Sequence, residues 1–404
     1  MTDRLYYHDS FLYNFDAEIR STVENPRPAV ILDRSAFYPT SGGQIHDTGW
    51  LISGDEKLRV TEVADTDHGH IVHYLEAPLK NVQPGARIHG EIDPARRRDH
   101  MQQHSAQHVL SAAFIRLFNM PTVSFHMADD YCSIDLDTPA LTKEQIESAE
   151  RLANEIVLEN RSVDIRFVTR AEAEKLGLRK LPPTERDQLR LIDIHDFDLT
   201  ACGGTHVSST GQIGAILLRK SEKARHGYRV EFVAGMRAIS TARLDFSTLT
   251  ETAALFSAHI YDVPQQARKS LEEIKSLRKE REQSQDELAD AQVSMLLKET
   301  PESEGGKVIV RTLSGRDLNF LKLLAQKITR QSQAVALLAS DSPQPALVFA
   351  QSPGQPHDMG KLLKETLAKL GGRGGGSKDL AQGGAPSSEG LKEAVAAAAQ
   401  SLIA

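Results

Sequence analysis

The segment from Ser247 to about Leu297 changes the character of the chain, because strand-like runs stop there and charged helix formers take over. Within it, Leu271, Ile274 and Leu277 recur on one face of a predicted helix. A stripe that narrow packs against a partner helix rather than a full core. We therefore predict a helical arm over residues 247–300 that separates two mixed parts of the chain.

Residues 1–92 consist of short runs in which apolar and polar positions alternate, separated by Gly, Pro and Asp. Alternation with a period of two is typical of strands that bury one face. This part predicts a small β-barrel or a β-sandwich, and the pattern alone does not choose between them.

Residues 93–245 mix helix and strand signals. One helix is predicted from Pro94 to about Leu117, and another from Thr142 to about Glu159, where Thr142 and Gln145 match a capping box. Strand-like segments follow both helices, so this part is predicted to be an α+β domain.

Residues 305–404 show strand, helix, strand, strand and helix patterns, then a Gly-rich loop and a final helix. This predicts a second, independent α/β domain. The loop sequence GGRGGGSKDLAQGG lacks the G-x-x-x-x-G-K-[ST] pattern, which argues against a nucleotide-cradling P-loop.

Composition narrows the class of protein. The 48 Lys and Arg against 55 Asp and Glu give a formal net charge of −7, so any nucleic-acid contact would depend on local basic patches. Two cysteines are too few for a disulfide framework. Acidic residues stand where a signal peptide would be apolar, and no run of about 18 apolar residues occurs. We expect a cytoplasmic protein that does not contact membranes.

The most specific local signal is a pair of motifs with metal-ligand spacing. QHSAQHVL places His104 and His108 four residues apart on one face of the first helix. TACGGTHV places Cys202 and His206 four residues apart around two glycines. Three imidazoles and a thiolate suit a tetrahedral Zn²⁺, and we predict one ion per chain.

Two further residues are assigned no chemistry. His100 continues the spacing of the histidine pair and is predicted to lie at the surface. Cys132 lies in a strand pattern and is predicted to be a buried small apolar residue. No Ser or Cys stands in a G-x-S-x-G elbow.

The segment FYPTSGGQ has the composition of a ligand-binding turn. Gly42 and Gly43 allow close approach of the main chain, Gln44 offers a donor and an acceptor, and Thr40 adds a hydroxyl. By itself the pattern favours an ordinary Gly-rich hairpin over a ligand-binding turn. Arg219 and Lys220 begin a basic cluster that is a candidate for gripping phosphate.

Taken in order, FYPTSGGQ, HSAQH, CGGTHV and GGRGGGSKDLAQGG resemble alanyl-tRNA synthetase downstream of its aminoacylation core, and most closely the long AlaX-type alanyl-tRNA editing proteins. The resemblance implies an N-terminal β-barrel, a zinc-dependent editing domain, a helical linker and a C-terminal α/β DHH-associated domain. It further implies deacylation of Ser-tRNA(Ala), and of Gly-tRNA(Ala) in some members. The C-terminal domain would bind tRNA or mediate dimerisation. A homodimer would form through this domain or through the helical arm.

The candidate residues provide the groups that hydrolysis of an aminoacyl-tRNA ester needs. Hydrolysis of an aminoacyl ester needs a positioned water and stabilisation of an oxyanion, and no covalent nucleophile. We assign Gln44, His104 and His108 to catalysis, with Gln44, Gly42 and Gly43 positioning the ester and Thr40 contacting the serine hydroxyl. Because only 103 residues precede His104, we expect no aminoacylation.

Three alternatives compete with this interpretation. Editing of another mischarged tRNA, such as tRNA(Thr), and a zinc-containing tRNA-binding protein without catalysis both stay open. A phosphoesterase is disfavoured because Asp-His-His does not occur. The sequence leaves open whether zinc acts in catalysis or only organises the site.

Overall fold

The structure, a computed structural model, describes residues 1–24, 27–66, 68–80, 83–176, 178, 188–303 and 305–402. The chain forms two compact units, Met1–Glu251 and Thr252–Ala404. Both mix helices and strands, as the sequence predicts. No helix within the described ranges is both long and apolar enough to cross a membrane.

The first unit begins with a closed barrel rather than a sandwich. Two short strands, β1 (Asp3–Arg4) and β4 (Arg34–Ser35), pair in parallel beside it. The barrel strands close in the order β2-β3-β7-β6-β5-β8. Their bounds are β2 (Asn14–Val23), β3 (Ala29–Leu32), β5 (Gly49–Ser53), β6 (Glu56–Asp65), β7 (Ile71–Leu75) and β8 (Arg87–Ile92). The predicted alternation has the expected cause, since alternate residues such as Phe15, Ala17 and Ile19 point into the barrel core.

Helix α1 (Pro94–Phe118) follows the barrel directly. Asp93 caps it by accepting hydrogen bonds from the backbone N–H groups of Ala95 and Arg96, and Pro94 occupies the first turn. The helix has barrel residues on one side and a sheet on the other, because Arg97 bonds the Ala36 carbonyl and Gln103 bonds the Ala234 carbonyl. Its side chains are therefore buried on most sides.

Two antiparallel sheets complete the first unit. One has the order β14-β15-β10-β9 and the other β11-β12-β13. Helix α2 begins after Thr142, whose capping box with Gln145 is confirmed. The bounds of these elements are β9 (Thr122–Met127), β10 (Cys132–Leu136), α2 (Lys143–Leu158), β11 (Val163–Thr169), α3 (Arg170–Lys175), β12 (Gln188–Ile194), β13 (Asp198–Ala201), β14 (Ile216–Ala224), β15 (Gly227–Ala234) and α4 (Gly235–Leu255).

The second unit is a sheet of order β16-β17-β18-β20-β19 with helices packed on it. Its long helix α5 (Val263–Glu299) lies within the predicted arm, and the last turns of α5 contribute Ala289, Val293 and Leu296 to the core of this unit. The remaining elements are β16 (Lys307–Leu313), α6 (Leu318–Gln331), β17 (Ala334–Ser340), β18 (Ala346–Gln351), α7 (Met359–Lys369), β19 (Arg373–Gly376), β20 (Leu380–Gly384) and α8 (Leu391–Gln400).

The Gly-rich segment at 371–384 is not the predicted loop. It forms the hairpin β19/β20, and helix α7 packs directly on it. A Cβ at Gly383 would lie 2.4 Å from Leu367 Cδ1, and one at Gly374 would lie 2.6 Å from the same side chain. The glycines therefore allow a helix to approach a hairpin closely, which explains their density without a phosphate.

Candidate metal and substrate site

The histidine pair on α1 faces the interior of the first unit. His104 and His108 are both almost fully buried, and their ring centroids are 5.3 Å apart. Spacing of four residues places both rings on one helix face, as predicted.

The segment after β13 brings the second motif to these rings. Cys202 Sγ lies 3.4 Å from His104 Nε2 and 3.3 Å from His206 Nε2. All four candidate ligand atoms lie within 4.8 Å of one another. A Cβ at position 204 would lie 2.2 Å from His104 Cε1, so Gly204 is needed for this approach. The structure thus brings together the four residues that the sequence singled out.

The electrostatics of the cluster favour metal binding. Burial raises the pKa of the Cys202 thiol, but the neighbouring His104 and His206 rings outweigh burial and hold that pKa well below its usual value. Burial lowers the pKa of His206 well below its usual value. A thiolate beside a neutral imidazole is the protonation state that Zn²⁺ requires. Together with the convergence of the donor atoms, this makes the cluster fit a zinc ion.

Gln44 holds His104 in one tautomer. The backbone N–H of Thr205 donates to Gln44 Oε1 at 3.1 Å, so that atom is the amide oxygen. His104 Nδ1 lies 2.7 Å from the same oxygen and must therefore donate to it. In the neutral ring that metal binding requires, the lone pair of His104 is then on Nε2, which faces Cys202 Sγ. Gln44 Nε2 in turn donates to Thr205 Oγ1 at 2.9 Å.

The other two histidines also have polar neighbours behind them. His206 Nδ1 lies 3.2 Å from Ser105 Oγ, and His108 Nδ1 lies 3.6 Å from Asp198 Oδ2. Burial lowers the pKa of His108, but Asp198 and Cys202 outweigh burial and raise it. Groups in this position orient metal-ligating imidazoles and raise their basicity.

Comparisons with known proteins agree with this geometry. Residues 6–96 match tRNA synthetases class II (A), residues 189–231 match the threonyl and alanyl tRNA synthetase second additional domain, and residues 304–404 match the DHHA1 domain. The alanyl-tRNA editing protein AlaX-L of Pyrococcus horikoshii is 31% identical over 386 residues, which cover 95% of this chain and 94% of that protein. The chain belongs to the AlaX-L family of alanyl-tRNA editing proteins.

Alanine–tRNA ligases are similar to this AlaX-L family member over part of their length. The ligase of Thermococcus kodakarensis is 33% identical over 389 residues, which cover 95% of this chain and 41% of the ligase. The chain thus spans less than half the length of that relative. The crystal structure of the C-Ala domain of Aquifex aeolicus alanyl-tRNA synthetase is 24% identical over 25% of this chain and 96% of that chain, with a TM-score of 0.23.

The FYPTSGGQ segment of this AlaX-L family member is a tight turn beside the cluster. Ser41 and Gln44 exchange backbone hydrogen bonds across Gly42 and Gly43, which have φ of 56° and 87°. Thr40 is exposed, and its Oγ1 accepts from the backbone N–H of His46 at 3.1 Å. Gln44 is fully buried, so its side chain contacts the cluster rather than solvent.

Arg219 and Lys220 lie on the exposed strand β14 and are both in ion pairs. Arg219 pairs with Asp245, and Lys220 Nζ lies 2.6 Å from Glu222. Neither residue belongs to the cluster. Tertiary structure thus supplies Asp245, a carboxylate that sequence spacing does not connect to the basic segment.

The prediction that His100 lies at the surface is wrong. Its side chain is fully buried, because α1 is covered on the barrel side as well as on the sheet side. Arg97, one turn earlier, is also fully buried and forms an ion pair with Asp47. Burial and the nearby arginines lower the pKa of His100 to about 2, which keeps the ring neutral. The prediction that Cys132 is buried is confirmed.

Sequence reasoning missed four residues around the site. Thr205 contacts Gln44, and Asp198 lies behind His108. Tyr7 and Arg190 line a cleft next to Cys202. Thr205 was detectable, because it stands inside CGGTHV. The other three carry no local signal, since their relation to the cluster arises only from folding.

Proposed function

We propose that this protein hydrolyses the ester of mischarged tRNA(Ala), removing serine from Ser-tRNA(Ala) and, as a second substrate, glycine from Gly-tRNA(Ala). The observation that carries the proposal is the convergence of two distant motifs into one cluster, with Gln44 of a third motif bonded to it. The similarity to an alanyl-tRNA editing protein over 95% of this chain supports it. We do not propose aminoacylation for this chain.

His104, His108, Cys202 and His206 would hold one Zn²⁺. Bound there, the ion would supply positive charge that can polarise a carbonyl or lower the pKa of a water to about 7. Cys202 Sγ lies within 4.8 Å of the donor atoms of three imidazoles, and this convergence suits a shared metal ligand. This agrees with an ester hydrolysis that forms no covalent intermediate.

The contacts of Gln44 change its predicted role. Both heteroatoms of its amide bond protein groups, and the side chain has no exposed surface. We therefore assign it to positioning His104, and assign contact with the ester to the turn that precedes Gln44. Gly42 and Ser41 are exposed there.

Selectivity requires a polar group, because serine is larger than alanine and cannot be favoured by size. If a hydroxyl or amide of the site forms a hydrogen bond with the serine hydroxyl, bound alanine leaves that group of the site without a partner. Thr40 stays our candidate for this contact. Ser41 is a natural comparison, because it lines the cleft that also includes Cys202.

The second unit is proposed to bind the body of the tRNA. Lys361 and Lys364 on α7 and Lys378 in the turn of the β19/β20 hairpin are exposed and available for phosphate contact. We also propose a homodimer through α5, where Leu271, Ile274 and Leu277 are 67%, 45% and 55% exposed. A second copy of the same helix would cover this stripe. Sedimentation of wild type and of Leu271→Glu tests the dimer.

The deciding experiment is deacylation of tRNA(Ala) charged with serine, glycine or alanine, alongside Ser-tRNA(Thr). We expect rapid release of serine from tRNA(Ala), slower release of glycine and intact Ala-tRNA(Ala). Tight binding of tRNA(Ala) without hydrolysis would instead indicate a zinc-containing binding protein. Hydrolysis confined to Ser-tRNA(Thr) would assign the protein to a different tRNA.

A further inference from the structure

A cleft of about 530 Å³ in the first unit shares Cys202 with the cluster. Its wall includes Ser41 of the FYPTSGGQ turn, the aromatic side chains of Tyr7 and Phe167, and Arg190. This volume lies within the range of about 300–1,000 Å³ typical of small-molecule sites. A ligand in the cleft would therefore lie against a candidate metal ligand and against two aromatic rings.

Arg190 brings a buried positive charge to this wall. Its side chain is 8% exposed, Nε donates to the Tyr7 carbonyl at 2.9 Å, and Nη1 donates to the Cys202 carbonyl at 2.6 Å. Nη2 is buried and has no hydrogen-bond partner among the described residues. The hydrogen-bond acceptors of Arg190 are two neutral carbonyls, and the Cys202 thiolate attracts it electrostatically without a hydrogen bond. Because no described carboxylate pairs with this guanidinium and Nη2 has no partner, an oxygen anion in the cleft would be favoured.

The other arginine of this wall is already neutralised. Arg4 Nη1 lies 2.8 Å from Asp65 Oδ2, and both residues line the cleft. Arg190 is therefore the arginine of the described wall that has no carboxylate partner, and it lies next to the backbone of Cys202.

The two aromatic rings suit a nucleobase. Phe167 is 40% exposed and packs against His8 with ring centroids 5.1 Å apart, which holds the ring in place. Tyr7 packs against Arg190, whose Cζ lies 5.6 Å from the ring centroid. An esterified serine or glycine has neither an aromatic ring nor a carboxylate, so it would use neither the aromatic face nor the guanidinium, whereas a nucleotide uses both.

We propose that this cleft binds the 3′-terminal nucleotide of the tRNA, with its base stacked on Phe167 and its phosphate at Arg190. The inference rests on the proposed function and specifies on which side of the cluster the nucleotide lies. The ester would then lie beside Ser41 and Cys202. Gly203 leaves room for it, since a Cβ there would reach to 3.4 Å from the Tyr7 hydroxyl.

The test uses a stable probe, adenosine that carries serine on its 3′ carbon through an amide, prepared with and without a 5′-phosphate. Calorimetry on the zinc-loaded full chain should show that the phosphate tightens binding by about 10-fold or more. Phe167→Leu should weaken binding of both probes by about 10-fold. Arg190→Met should remove the advantage of the phosphate.

Matched controls separate the cleft from general effects. Phe11→Leu removes another exposed phenyl ring, and Arg166→Met removes an exposed guanidinium beside Phe167 that pairs with Asp193. Neither residue lines the cleft, so both variants should bind both probes like wild type. Zinc content is measured for every variant, because Arg190 also holds the Cys202 carbonyl.

Wild-type affinity of Phe167→Leu for both probes would overturn the inference. So would a retained phosphate preference in Arg190→Met with normal zinc content. If Arg190→Met loses zinc, Phe167→Leu alone decides. Failure of the proposed function would look different, because wild type would then bind the probes and respond to these variants without deacylating any charged tRNA.

Discussion

Gln44 and His104, 60 positions apart in the chain, are joined by a hydrogen bond of 2.7 Å between Gln44 Oε1 and His104 Nδ1. This contact connects the FYPTSGGQ turn to the metal-ligand candidates on α1. Since Thr205 fixes which amide atom is the oxygen, the contact also fixes the tautomer of His104. A residue that is itself fully buried thus controls the atom that faces Cys202.

The first prediction concerns Gln44. Gln44→Leu removes the acceptor and should weaken zinc affinity by about 10–100-fold, with a parallel loss of deacylation. Gln44→Glu keeps an acceptor for His104 and Thr205 and should retain more of both. Competition titration with a zinc chelator gives the affinities. Gln102→Leu, which removes a glutamine from α1, is the control, and equal zinc affinity in wild type and Gln44→Leu would contradict the positioning role.

The second prediction concerns the two cysteines. Cys202→Ala should lose most of the bound zinc, because a thiolate supplies charge that imidazole does not. Cys132→Ala should keep about one zinc per chain, since burial raises the pKa of Cys132 to about 12 and that thiol lies outside the cluster. Metal analysis of the purified proteins measures this. A wild type that has no zinc and stays fully active in chelator would rule out the metal site.

The third prediction concerns selectivity. Thr40→Val keeps the shape of the side chain and removes its hydroxyl, and it should slow hydrolysis of Ser-tRNA(Ala) by about 10-fold, while zinc content stays normal. Ser41→Ala is made in parallel. If only Ser41→Ala slows the reaction, the hydroxyl that contacts serine belongs to Ser41, and Thr40 serves the turn through His46.

The fourth prediction concerns acid stability and the buried His73. Burial lowers the pKa of His73 to about 4, and the ring is held neutral between Ser35 and the Val30 carbonyl. Because this pKa lies below the unfolded value of about 6.5, the unfolded chain binds the extra proton. Above pH 6.5 His73 is neutral in both states, and the stability of the folded state is not reduced. As the pH drops from 6.5 towards 4, the free energy of unfolding falls by up to about 1.4 kcal/mol per pH unit.

Urea unfolding between pH 4.5 and 7.5 measures this effect. Trp50, the single tryptophan of the sequence, lies in barrel strand β5 and reports on the barrel. His73→Gln should flatten the pH dependence, and His226→Gln, which removes an exposed histidine of the same unit, is the matched control. Parallel pH profiles for wild type and His73→Gln would exclude this source of acid sensitivity.

The fifth prediction concerns the second unit. Joint replacement of Lys361, Lys364 and Lys378 by alanine should weaken tRNA binding. It should also lower the slope of log affinity against log salt by about 0.7–0.9 for each phosphate that the lysines neutralise in wild type. Substitution is preferable to truncation near Leu297, because the end of α5 belongs to the core of this unit. Alanine at the exposed Lys275 and Lys279 of α5 is the control. An unchanged slope would favour dimerisation or another partner for this unit.

Local patterns in the sequence were sufficient for much of this protein. Apolar alternation, the Thr142 capping box and helical periodicity depend on neighbouring residues, so strands, helices and the spacing of His104 and His108 were predictable. Pairing of His104 and His108 with Cys202 and His206 was also predictable, because metal chemistry limits which residue types combine.

Only the tertiary structure decided what lies around those elements. In the folded chain the barrel is closed, and the Gly-rich segment forms a hairpin against which Leu367 packs. His100 is buried, and Arg219 forms an ion pair with Asp245. Each of these depends on which distant surface covers a side chain, and local periodicity carries no information about that. For the same reason, only folding placed Arg190 beside Cys202. The burial and the partners of a charged side chain depend on the packed chain, and the spacing of residues in the sequence does not determine them.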